Sequence, residues 1–293
     1  MTSDDEAAYR RAEKAAHAAR KRLLESTRTD LIALLKDARR ETVLILAGAP
    51  TEYEQWRATA LQADIDRVLA ELAIQSGKTL AAAASSAWEG GIASIVEPLA
   101  AAGLGSSYVQ LDTRQLLAMR AFMVDRITDI STVAASTIKR ELGLALIGGQ
   151  PLQTTIAHVQ KVLEDASAVR ATTIVRTELG RVWSVAANDR ALESSGAGIE
   201  MDKVWRRSGK IYSRLTHDIA DGQRVPVDQP FTVGTIKMMH PHDPAAPASE
   251  TINCGCIALY RPRDSMSRLP EKRPFTRDEI NANPFKADLE KRR

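Results

Sequence analysis

The sequence predicts a mainly α protein: long amphipathic helices in the N-terminal part, then a small α+β C-terminal domain, then an extended charged tail. Three observations carry this expectation. Alanine runs through the first two hundred residues while aromatic residues make up only 4% of the chain, a composition that suits close-packed helices rather than β-branched, aromatic-rich strands. Apolar residues recur at helical spacing as far as Ser194. Beyond Gly198, short β-branched runs alternate with Gly, Pro and Asp. The expected division is 1–150 helical, 151–262 α+β, and 263–293 tail, and 293 residues with 44% hydrophobic content suffice for a real core.

The first helix is expected from about Ser3 to Leu46, with Leu24, Leu31 and Leu35 on one side and charged residues on the other, stopped by Gly48 and Pro50. Thr51, with Glu54 three residues on, reads as a capping box. It opens a helix carrying Leu61, Ile65, Val68, Leu69 and Leu72. Gly77 is expected to end or interrupt that helix, with a weaker alanine-rich helix running on to about Ala102. A further helix, expected to be the longest, follows Asp112 and Thr113 and keeps Leu116, Met119, Met123, Ile127, Ile130 and Ala134 on one face. Gly148 and Gly149 close it. Pro151 opens the next, which buries Ile156, Val159 and Leu163, and another runs from about Ala166 to Ser194.

The α+β unit is read from Ile199 to Arg261, from IEMDKVWRRS, RVPVDQPFTVG and TINCGCIALYR. The remainder is proline-punctuated, charged and poor in apolar residues, so it is expected to be an extended or disordered arm. Trp183 and Trp205 read as core aromatics where the last helix meets the strands.

Forty basic residues against thirty-seven acidic leave a formal charge of +3. This near balance is unlike the clustered excess of a dedicated nucleic-acid binder. The stretches Arg10 to Arg22 and Arg261 to Arg293 are locally basic, either as solvated surface or as phosphate contacts. The N-terminus lacks the apolar core of a signal peptide, and no apolar run approaches the roughly twenty residues of a membrane span. Cytosolic synthesis and no membrane partner are therefore expected, and there Cys254 and Cys256, one residue apart, would stay reduced.

No GxGxxG, GxxxxGK[ST], HExxH or GxSxG motif is present in the sequence. One dense constellation remains: Arg214, His217, Asp218, Asp221 and Gly222, then His240, His242 and Asp243, then Cys254 and Cys256. Thiolate and imidazole are the ligands zinc prefers, and Cys254, Cys256, His217 and either His240 or His242 could complete a tetrahedral site. A structural metal would help a loop-rich unit with little core of its own. Two other readings stand beside this one. Buried cysteines can be small hydrophobes while His217, Asp221 and Arg214 lock a loop by hydrogen bonds, or the His and Asp residues with Glu178 could be catalytic. On the preceding helix, Arg176, Glu178 and Arg181 are close charge neighbours, of which Glu178 and Arg181 share a face; they read as a helix-surface pair, or Arg176 or Glu178 turns inward to pair with the β unit at the junction.

Taken in order, RTELGRVWSVAAND, KVWRRSGKIYSRLTHDIADGQRVPVDQPF and MHPHDPAAPASETINCGC resemble the Mu protein F-like, or head morphogenesis, family of tailed phages, over about Leu152 to Leu259. The pattern is an Arg-Thr-Glu helix, a Trp strand, an Arg-x-x-His-x-x-x-x-Gly turn and an Asn-Cys-x-Cys strand. By motif, the family-like positions are Arg176, Thr177, Glu178, Trp205, Arg214, His217, Asp221, Gly222, Pro244, Asn253, Cys254 and Cys256. The chain departs from the family at Gly255, where an arginine is common, and at Thr216, where a proline is.

The resemblance implies a structural minor head protein rather than an enzyme. It would be made in the host bacterial cytoplasm and carried in the virion near the portal, acting in head assembly and in DNA retention or ejection. Its implied partners are the portal protein and the major capsid or scaffold protein, with packaged DNA met through the basic ends. The competing expectation is an effector-type enzyme, a nuclease or transferase using the His, Asp and Cys cluster, since such domains also occur attached to toxin-like modules.

Overall fold

The computed structural model describes residues 2–48, 55–105, 111–146, 150–263 and 272–291. Three long helices come first: α1 (Ser3–Ala47), α2 (Gln55–Ala101) and α3 (Arg114–Leu146). The expected capping box of Thr51 and Glu54 and the expected stop at Gly148 and Gly149 lie outside the described residues. α2, not α3, is the longest, with 47 residues against 33. Gly77 neither ends nor interrupts it. A Cβ there would sit 3.3 Å from Val124 Cγ1, so the glycine serves the close approach of α3 rather than a helix stop.

The two helices expected between Pro151 and Ser194 form one nearly continuous helical run, α4 (Leu152–Lys161), α5 (Ser167–Ile174) and α6 (Gly180–Gly196), joined by π turns at Val162–Ala166 and Val175–Leu179. A π turn inserts a residue and rotates the side chains that follow, and such turns favour functional positions. The second one contains Arg176, Thr177 and Glu178.

The chain divides into two compact units built from segments distant in sequence. One comprises Leu23–Ala84 and Gln115–Val175 and is wholly helical. Its core is the apolar stripe read from the sequence, including Leu31, Leu35, Ile65, Leu69, Leu72, Met123, Ile127, Ile130, Val159 and Leu163, all buried.

The other unit comprises Met1–Arg22, Ser85–Arg114 and Arg176–Arg293. Its three-stranded antiparallel sheet has the order β2 (Arg224–Pro226), β1 (Met201–Arg206), β5 (Ile257–Pro262), beside a hairpin of β3 (Phe231–Val233) and β4 (Ile236–Met238). α7 (Leu215–Ile219) and α8 (Ala248–Thr251) are single turns in the connections. Central β1 buries both faces and carries Trp205, which meets Phe231 edge to face at 5.3 Å. The start of α1 packs on this sheet: Tyr9 donates to the Tyr260 carbonyl at 2.6 Å, and Glu13 pairs with Arg261 at 2.6 Å. The locally basic stretch there is only partly solvated, since Arg20 is 8% exposed and Arg10 pairs with Glu6.

α2 and α6 touch within this unit through Gly90 and Gly91. A Cβ on Gly91 would stand 2.6 Å from the Trp183 carbonyl oxygen and 2.8 Å from Ala186 Cβ. Alanine normally stabilises a helix relative to glycine by about 0.5–1 kcal/mol. Here a backbone oxygen and a methyl block the space, so Gly91→Ala is expected to destabilise the protein by about 1–3 kcal/mol, the usual cost of overpacking. A urea unfolding midpoint at or above the wild-type value would show that the two helices separate freely.

The expectation of an extended arm is corrected over the described part of the tail. Residues 272–291 contain α9 (Arg277–Ala282) and α10 (Phe285–Lys291), and Glu279 and Lys286 are wholly buried. Thr276 caps α9 in a capping box with Glu279. Several of the tail's cations are engaged inside the unit: Arg263 with Asp202 and Glu200, Arg273 with the Ser208 carbonyl, and Lys286 with Asp218 at 3.4 Å.

Candidate metal centre

The site is assembled by backbone conformations that few residues accept. Asn253 holds φ at +55°, in the left-handed region that asparagine tolerates better than most side chains. Its N–H donates to Thr177 Oγ1 at 2.8 Å, so the second π turn grips the start of the Asn-Cys-x-Cys segment. Gly222 holds φ at +81° and donates its N–H to the Trp205 carbonyl at 2.8 Å, which turns the chain back onto β1 after α7. Glycine occupies that conformation without the steric cost a Cβ brings.

These turns bring together three of the expected residues. His217 on α7 points Nδ1 at both sulfurs, 3.6 Å from Cys254 Sγ and 3.4 Å from Cys256 Sγ. All three residues are buried, and their ligand atoms lie within 4.8 Å of one another, a group that could hold a metal ion. Zinc bonds of about 2.3 Å to sulfur and 2.0 Å to nitrogen, at tetrahedral angles, place nitrogen and sulfur about 3.5 Å apart. Cys-x-Cys suffices here because alternate residues of an extended segment face the same way.

The other ring nitrogen, His217 Nε2, meets Glu250 Oε2 on α8 at 2.7 Å. A carboxylate on the far nitrogen fixes the tautomer that leaves Nδ1 free to bind, the usual outer support of a metal-bound histidine. The Trp205 ring edge at 5.3 Å holds the imidazole plane. Burial works to lower the His217 pKa, but Cys254 and Glu250 outweigh it and the net direction is up. The hydrogen bond from Cys256 holds Cys254 well below the ordinary thiol range, and the same bond, with burial, pushes Cys256 up. In the pair, Cys254 takes the negative charge first.

His240, expected as the fourth ligand, does not join the three. It is buried with Nδ1 3.0 Å from the Pro241 carbonyl, on a loop that the Asp243 carboxylate clamps through the N–H groups of Met239 and Ala245. His242, the alternative, is wholly buried with φ +67° and lies against Gly180, where neither ring nitrogen finds a hydrogen-bond partner among the described residues. Burial lowers its pKa to about 4.

The remaining signature residues brace the fold. Asp221 accepts the N–H groups of Arg207 and Arg273, and Arg214 donates to the Ile252 carbonyl at 2.7 Å. Glu178 pairs with Arg181, whose Nε reaches the His242 carbonyl at 3.4 Å, so the pair is neither purely surface nor purely junction. Trp205 and Trp183 are core residues as expected, at 0% and 6% exposure. Sequence reasoning missed Glu250 and Lys210. Nothing in their spacing ties them to His217 or to the cysteines, and only the folded chain brings them there.

No helix among the described residues is long and apolar enough to cross a membrane. No family model matches the chain, and no solved structure matches it. A curated protein, NAD(+)-arginine ADP-ribosyltransferase EFV of Enterococcus faecalis, is 35% identical over 95 residues, 32% of this chain and 19% of that protein. The chain thus spans about a fifth of the length of the curated relative it matches.

Proposed function

We propose that this chain is a structural minor head protein of a tailed bacteriophage, of the Mu protein F-like kind, and that zinc held by Cys254, Cys256 and His217 braces its C-terminal unit. In this reading it is made in the bacterial cytoplasm, enters the procapsid near the portal, and acts through contacts with the portal and the capsid or scaffold protein. The carrying observation is the use to which the linked motifs are put. Thr177 holds Asn253, and Asp221 holds Arg207 and Arg273. These bonds consume polar groups that a catalytic site would leave facing a substrate.

The relative's name supports the competing reading, a transferase, but a match over 19% of a longer protein is also what a shared module gives. Two measurements separate the readings. Co-expressed with the portal protein of the same genome, the chain is expected to co-purify with it and to release no nicotinamide from NAD in the presence of an arginine-bearing acceptor. Steady NAD turnover without portal capture would overturn the structural role in favour of the enzyme.

A further inference from the structure

A tetrahedral metal bound by Cys254, Cys256 and His217 is one ligand short, and among the described residues no fourth histidine, cysteine or carboxylate joins the group. The three ligands instead form one wall of a pocket of about 250 Å³, whose other walls include Ser208, Lys210, Tyr212 and Arg214. Three protein ligands facing open space are the arrangement of zinc sites that take an external fourth ligand, whereas closed structural sites carry four.

The charge around that opening selects the ligand. Zinc with two thiolates is formally neutral, so attraction for an anion must come from the pocket walls. Lys210 Nζ donates to the Asn253 carbonyl at 2.5 Å and Arg214 to the Ile252 carbonyl, both neutral acceptors. Neither cation, nor exposed Arg176 beside them, has a carboxylate partner among the described residues. Gly255 gives the lysine room: a Cβ there would stand 2.9 Å from Ser208 Cβ and 3.1 Å from Lys210 Cε.

We propose that this pocket binds a phosphate group, with one oxygen completing the metal's coordination and others accepting from Lys210 and Arg214. A tetrahedral oxyanion can reach the metal and both cations with separate oxygens, whereas a carboxylate has only two. Lysine has three donors and arginine five, so each can keep its carbonyl and still serve the ligand. Tyr212, 88% exposed at the rim, offers a flat apolar face beside the phosphate, which suits a nucleotide as its bearer.

The inference rests on the metal reading of the site, and cobalt(II) substituted for zinc tests the two apart, since its visible spectrum reports the ligands directly. The full-length cobalt protein, titrated with inorganic phosphate and separately with a 5′-phosphorylated oligonucleotide at constant ionic strength, is expected to shift its visible bands saturably. Tighter binding of the oligonucleotide would assign a nucleic-acid source, and tighter binding of inorganic phosphate a free one. Lys210→Gln and Arg214→Gln should each weaken the phosphate response by about tenfold or more, the worth of a charge-assisted hydrogen bond, with cobalt stoichiometry unchanged. A cobalt protein whose spectrum ignores both phosphates overturns the proposal and leaves the metal site standing. Failure to take up cobalt at all removes both.

Discussion

Purified without a tag, the wild-type protein is expected to carry about one zinc per chain, and the Cys254→Ser, Cys256→Ser double variant none. Serine keeps the size of cysteine but offers a hydroxyl that zinc does not hold, leaving His217 alone. Apparent metal-binding energies of about 10–16 kcal/mol in small zinc modules set the upper scale of what is lost. Here the sulfurs also sit in an apolar cluster with Trp205, Phe231, Val233 and Met238, which survives the substitution in part. A loss of several kcal/mol, read as a lowered unfolding temperature of the variant, is the expected size. Glu250→Gln should keep the metal but weaken it about 10- to 100-fold, because the amide supports the imidazole less well than the carboxylate at 2.7 Å. Elemental analysis by mass spectrometry decides. No metal in the wild type would make the thiols small core hydrophobes, and the double variant would then cost only the burial of two hydroxyls, about 1–3 kcal/mol each.

The helices were legible because their signal is periodic. The first was expected from Ser3 to Leu46 and spans Ser3–Ala47, and the stripe from Leu31 to Leu163 forms the core of the helical unit. Gly77 misled because a glycine that stops a helix and one that admits a neighbour look alike until the neighbour is known. Both π turns were invisible, since their cause lies in packing rather than in local propensity. The boundaries expected near residues 150 and 262 follow the chain, while the two compact units gather segments from across it, which no reading along the sequence can foresee. At the site, residue type was the informative signal. Cysteine and histidine density pointed to Cys254, Cys256 and His217, but the choice between His240, His242 and an open position depended on a loop clamped by Asp243. The tail departs from its expected extended form for a related reason. Thr276 and Glu279 form a capping box that the sequence states openly, yet low hydropathy argued against burial. The buried side chains there, Glu279 and Lys286, are charged.

That burial makes the tail the second large effect, with Glu279→Ala expected to cost about 3–5 kcal/mol. Arg207, 1% exposed, forms an ion pair with Glu279, donates to the carbonyls of Arg273 and Pro274, and stacks on the Phe275 ring at 4.0 Å. Lys286 reaches the Ile211 carbonyl and Ser213 Oγ, both at 2.9 Å, and lies 4.0 Å from Glu279. Removing Glu279 leaves two buried cations in the company of Asp218, at 3.6 Å from Arg207 and 3.4 Å from Lys286, and an uncompensated buried charge is the expensive outcome. The pH dependence follows from the same contacts. Burial would raise the Glu279 pKa, but the bonds from Arg207 and Thr276 prevail and hold it below the ordinary 4.5. A depressed carboxyl contributes its stability above that ordinary value and loses it as pH falls through the lower, folded-state value. Acid unfolding of the wild type should therefore include a proton uptake that the Glu279→Ala variant lacks, and the variant's deficit should shrink toward low pH. An unfolding midpoint within about 0.5 kcal/mol of wild type at neutral pH, the range of an ordinary surface substitution, would mean that the tail docks without this network. Matching deficits for Glu279→Ala and Arg207→Ala, with a double variant far short of their sum, would place both residues in one coupled unit holding the turn from Ile211 to Ser213 that flanks the pocket.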